Sequence, residues 1–163
     1  MIPALFLHGF TGSGEAWAPF TEGFAAQCPD LPGHRHAPLP ARLGRDGFDV
    51  TIAALAARLT VPSVVVGYSQ GARLALALAV RHPEKVTRLI LESGTAGLAR
   101  HHDRALRQAE DEARATMLET QGLEAFLQYW ERLPMFAGVP RSRHGHTAEG
   151  HAGALRCLGL GVQ

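Results

Sequence analysis

Several shortages narrow what this chain can be. It has only two cysteines, Cys28 and Cys157, far apart in 163 residues. One distant pair makes no disulfide framework, so buried free thiols in a reducing cytoplasm are the expectation. Neither charge sign prevails: 16 Lys and Arg stand against 15 Asp and Glu. A net charge of +1 gives no pull toward nucleic acid or an anionic membrane. Long apolar runs are missing; residues 74–80 fall well short of the ~20 residues that a spanning helix needs. Residues 1–10 are apolar but lack a basic leader and a cleavage site, so they read as a strand, not a secretory signal. The glycine-rich turn at residues 9–14 contains neither Gly-Lys-Ser/Thr nor Gly-x-Gly-x-x-Gly, which argues against a nucleotide phosphate loop. No cofactor is expected.

What remains is the composition of one globular domain, 46% hydrophobic and 19% charged. The chain is organised around residues 64–73. Val64, Val65 and Val66 read as a buried strand. Gly67-Tyr68-Ser69-Gln70-Gly71 fits Gly-x-Ser-x-Gly, and strong helix formers follow from Ala72. Strand, sharp turn and helix make a nucleophile elbow, with the Ser69 hydroxyl held at a helix N-terminus. The unpaired N–H groups there suit a developing oxyanion. The competing reading is a tight turn with an idle serine.

Other strands are expected at residues 4–7 and 86–91, and helices at 14–24, 46–60 and after the elbow. This βαβ rhythm predicts a parallel sheet covered on both faces. The loop after the first strand would lend the Phe10 N–H to an oxyanion hole, with a second from Gln70. His8 reads as structural, bonded into its own turn. Beyond residue 95 no strand pattern recurs. Helices are expected at 100–118, around Leu123 to Trp130, and at 148–158, with Pro134 and Pro140 breaking the run. Residues 1–95 are therefore read as the core and 96–163 as a helical lid within the same domain.

His8-Gly9-Phe10, Asp30-Leu31-Pro32-Gly33-His34, the elbow, and the helix ending Arg81-His82-Pro83 together resemble the α/β-hydrolase fold. Narrower cues are Arg73, Leu91-Glu92-Ser93-Gly94 followed by Gly97-Leu98, and Tyr129-Trp130 before Leu133-Pro134-Met135-Phe136. With these the chain resembles the 2-succinyl-6-hydroxy-2,4-cyclohexadiene-1-carboxylate synthases of menaquinone biosynthesis. The resemblance implies a three-layer α/β-hydrolase-like parallel sheet, incomplete at the C-terminus, with a helical lid. It implies a lyase in which the triad removes a proton and pyruvate is eliminated. Ser69 would be the catalytic serine, Phe10 and Gln70 the oxyanion donors, and Arg73, Arg104, Trp130 and Arg143 the substrate contacts.

The residues themselves carry part of this. Arg73 lies one helical turn beyond Ser69, on the same face, where a guanidinium suits carboxylate substrates. The alternative is a pairing of Arg73 with Glu92. Arg104 shares its helix with Arg100, Arg107 and Arg114, so a solvated charged face is its default. Trp130 is as consistent with lid core as with a substrate wall.

The triad is less legible. In this fold the order is Ser, then Asp or Glu, then His. Asp103 and Asp111 sit in a charged helix, and His144, His146 and His151 belong to the lid. Gln70 and Ala72 replace the commoner methionine and glycine, and residues 138–143 read as shortened. Three explanations stay open: a piece of a longer enzyme, recruitment of a lid histidine, or a non-catalytic remnant whose open sheet edge pairs with a second copy. A serine esterase is the alternative enzyme. The spacing of His144, His146 and His151 fits no zinc pattern, so no metal is expected.

Overall fold

The structure, a computed structural model, describes residues 1–136 and 142–163. Pro140 and the head of the 138–143 segment thus lie outside the described residues.

Four parallel strands form the sheet in the order β2-β1-β3-β4: β1 (Ile2–Leu7), β2 (Phe24–Gln27), β3 (Ser63–Tyr68) and β4 (Val86–Glu92). Ala4 pairs with Val64 and Leu7 with Gly67, so β1 and β3 run side by side at the centre. Period-two alternation divides their side chains. Leu5, Leu7 and Val65 pack against helices α1 (Gly44–Arg58) and α2 (Gln70–Arg81) through Phe48, Ile52, Leu74 and Leu78. Ala4, Phe6 and Val64 point the other way, toward Trp17 and Phe24. Each fully buried large apolar side chain contributes about 2 kcal/mol.

Handedness explains this division. The steps from β2 to β3 and from β3 to β4 run in one direction across the sheet, so right-handed crossovers put α1 and α2 on one face. The step from β1 to β2 runs in the opposite direction, and its connection lies on the other face. That connection is a 3-10 segment, Gly14–Phe20. The helix expected over residues 14–24 is corrected here: Pro19 stands inside it, and Phe24 already belongs to β2, which sequence periodicity missed. Outside this segment the second face is thinly covered, and Ile90 on β4 is 52% exposed.

After β4 the chain forms α3 (His101–Glu131) and α4 (Ala148–Leu158). The two expected helices at 100–118 and 123–130 run together as α3, broken at Gly122, whose φ of 83° is not helical. Thr147 caps α4 by accepting from the Gly150 N–H at 3.0 Å. Leu118, Phe126, Leu127 and Trp130 of α3 bury against Ala152 and Leu155 of α4. Among the described residues no helix is long and apolar enough to cross a membrane.

Candidate active site

Connections leave β1 and β3 in opposite directions, so a crevice opens between their carboxyl ends. The loop after β1 and the turn after β3 both reach it. Ser69 stands in that turn with φ 52° and ψ −109°, a conformation that non-glycine residues rarely adopt. Its N–H donates to the Glu92 carbonyl at 2.8 Å, tying the elbow to the end of β4. The motif's glycines are steric necessities. A Cβ on Gly71 would run into the Leu7 carbonyl, and one on Gly67 into the backbone of Gly71 and Ala72. Gly94 leaves room for the Ala72 methyl in the same way.

Gln70 opens α2, so its N–H belongs to the first helical turn, where no preceding carbonyl is in reach. The loop carrying Phe10 is fixed by histidines. Leu31 N–H donates to His8 Nε2 at 2.9 Å, which puts the ring proton on Nδ1, facing the Gly9 carbonyl at 2.8 Å. His8 is thus a structural, neutral group; burial holds its pKa down to about 4. Thr11 N–H donates to His34 Nε2 at 3.3 Å. His151 of α4 and His146 just before it pack on His34, with ring centroids 4.9 and 6.1 Å away. Phe10 packs edge-on against Trp130 at 5.3 Å and His151 at 5.3 Å.

A cavity of about 250 Å³ is lined by Ser69, Phe10, Gln70, Arg73, Arg107 and Trp130, together with Ser93, Phe136 and Leu160. The structure therefore brings five of the seven sequence-derived site residues together. Arg73 does not pair with Glu92. Its Nη1 donates to the Leu158 carbonyl at 3.0 Å. Burial, and then the nearby Arg107 charge, lower its pKa to about 10, with Asp111 opposing. It stays cationic at neutral pH.

Arg104 and Arg143 are not brought to this cavity. Arg104 Nη1 donates to the Leu98 and Ala99 carbonyls at 2.6 and 2.8 Å, bracing the segment before α3. Arg143 Nη1 donates to Glu131 Oε1 at 2.7 Å, and its Nε to Glu124 Oε2 at 3.2 Å. Arg107, one turn beyond Arg104, lines the cavity instead; sequence spacing gave both the same helix face. None of the described histidines lines the cavity, and Asp111 pairs with arginines, not with a histidine. Among the described residues no group of three or more His, Cys, Asp or Glu is arranged to hold a metal.

Known proteins share this architecture. "Structure of MenH from S. aureus" superposes with a TM-score of 0.87 at 28% identity, over 99% of this chain and 68% of that one. The 2-succinyl-6-hydroxy-2,4-cyclohexadiene-1-carboxylate synthase of Escherichia coli O1:K1 / APEC is 34% identical over 142 residues, 83% of this chain and 55% of that protein. The chloroplastic protein PHYLLO of Arabidopsis thaliana is 35% identical over 169 residues, 95% of this chain and 10% of that protein. The chain thus spans about half the length of the bacterial synthase it matches. Residues 3–142 match the description "alpha/beta hydrolase fold", and with the elbow seated between β3 and α2 the chain belongs to the alpha/beta hydrolase fold family.

Proposed function

We propose that this chain carries the substrate-binding half of a lyase site that eliminates pyruvate from a carboxylate-rich precursor of menaquinone. The observation that carries the reading is the pair of guanidiniums, Arg73 and Arg107, sharing one cavity with the strained Ser69. A neutral-ester hydrolase has no use for two cations beside its serine. Dispersed carboxylate charge on a substrate would meet both, and Trp130 would wall the apolar part of the ring. Phe10 and Gln70 N–H groups would receive an enolate or oxyanion as charge develops. The similarity to the Escherichia coli synthase supports the same substrate class. We read residues 96–163 as the lid of this site, within one domain with residues 1–95, acting on a small anionic molecule in the cytoplasm.

A second reading, anion binding without turnover, is favoured by one observation. A serine needs a base in contact with it, and no described histidine lines the cavity.

Tryptophan fluorescence, with the synthase substrate added, tests the binding half. Quenching is expected, and Arg73→Ala should weaken it at least tenfold; unchanged affinity overturns the anionic-substrate reading. Fluorophosphonate labelling of Ser69 across pH 5–8 separates the two readings. A rate that rises through a histidine inflection shows a working base and removes the binding-only reading. A slow rate without that inflection supports it.

A further inference from the structure

Asp111 has no part in the reading above, yet its side chain is only 5% exposed, rare for a carboxylate. It lies on α3. Its Oδ1 accepts from Arg107 Nε at 2.9 Å and from Arg114 Nη1 at 3.1 Å. Its Oδ2 is buried with no hydrogen-bond partner among the described residues. From α2, Arg73 faces it closely enough for each charge to act on the other. From the end of α4, Gly159 approaches so tightly that a Cβ there would meet Oδ2. Glu112 and Arg156 stand with it around a neighbouring small cavity.

A buried, half-satisfied carboxylate is a poor device for stability alone, since its unmatched oxygen keeps a desolvation cost. Its geometry suits another task. Holding Arg107 by Nε leaves the two terminal nitrogens of that guanidinium as a fork. A carboxylate fits such a fork with two parallel hydrogen bonds. Arg107 would otherwise be pushed away from Arg73, because two like charges in one low-dielectric cavity repel.

We propose that Asp111 is a positioning residue for anion capture: it aims the terminal N–H pair of Arg107 into the Ser69 cavity and keeps the two guanidiniums together there. This rests on the anionic-substrate reading of the same cavity. The consequence is selectivity for charge, not general affinity. Asp111 never touches the ligand; it acts through Arg107.

The test compares succinate with its neutral isostere succinamide, using tryptophan fluorescence on the full chain and its variants. The wild-type chain should prefer succinate. Asp111→Asn, which keeps the shape and removes the charge, should weaken succinate at least tenfold and leave succinamide within twofold. Asp111→Glu keeps the charge but shifts it by one methylene, and should lose at least threefold on succinate alone. It serves as the deciding variant if Asp111→Asn does not fold. Arg73→Ala separates the two layers of the argument. If neither Arg73→Ala nor the wild-type chain shows any succinate preference, the anionic reading fails and this proposal with it. If Arg73→Ala abolishes the preference while the Asp111 variants retain or sharpen it, the proposal alone is overturned. Equal loss of both ligands in Asp111→Asn would mean a merely structural carboxylate, and also overturns it.

Discussion

At the elbow, the cost of each side chain is set by backbone, so Gly71 is the sharpest point of control. A methyl there meets the Leu7 and His8 carbonyls, neither of which can move without breaking the β1 end. Gly71→Ala should lower unfolding stability by about 3 kcal/mol in urea titrations, at the upper end of ordinary overpacking. The histidines give a second expectation. Burial lowers the pKa of His8 and of His151 to about 4, and His34 lies well below its ordinary value. Asp30 and Arg35 act on the same cluster with opposite signs through His146. Folded pKa values below the unfolded value of about 6.5 mean that the unfolded chain takes up protons first. Stability is then complete above pH 6.5 and is lost as pH falls from there toward 4, by on the order of 3 kcal/mol for His8 and for His151, with His34 acting in the same direction. Melting temperatures should be flat from pH 7 to 8 and fall steadily below 6.5. His151→Phe should shallow that fall; an identical slope would refute the assignment. The elbow was legible in sequence because its chemistry is local. The histidine cluster was not: His8, His34 and the neighbouring His146 and His151 come from three separate segments, and only the fold stacks them. The choice between Arg104 and Arg107 was equally hidden, since it depends on how α3 crosses the sheet's end.

Helix α3 shows how an element can break without a proline. Gly122 has φ 83°, and no atom lies within 4 Å of where its Cβ would be. The penalty for a side chain there is therefore one of backbone conformation, not of crowding. With ψ 170° the residue lies in a region open essentially to glycine alone, so Gly122→Ala and Gly122→Asn should cost alike, about 1–3 kcal/mol each. Thermal unfolding of the two variants distinguishes this from a packing effect, which would rank the larger asparagine as worse. The break also separates the two helices expected on either side of it. Periodicity restarts at Leu123 because Gly122 changes the direction of the axis, bringing Phe126 and Trp130 over Phe10. Strand β2 escaped notice for the opposite reason. Phe24-Ala25-Ala26-Gln27 is four residues with two alanines, and it takes its strand identity from pairing with Ile2 to Leu5, not from its own composition.

Over the whole molecule the two sheet faces differ. Leu5→Ala, which opens a void between β1 and the helices, should cost about 3–5 kcal/mol. Ile90→Thr, on the thinly covered side where Ile90 is 52% exposed, should change stability by no more than about 0.5 kcal/mol. Comparable losses at both positions, measured by urea denaturation, would contradict the burial of the two faces. The sheet itself was readable from three apolar runs, because parallel strands buried at the centre need continuous hydrophobicity. The cavity draws on the opposite-going connections from β1 and β3, and on segments as far apart as Phe10 and Leu160. No short peptide cut from this chain holds both halves of its wall, so occupancy and global folding are thermodynamically linked. A dicarboxylate that binds only the folded form, supplied at a hundred times its Kd, should raise the unfolding free energy by about 2.7 kcal/mol.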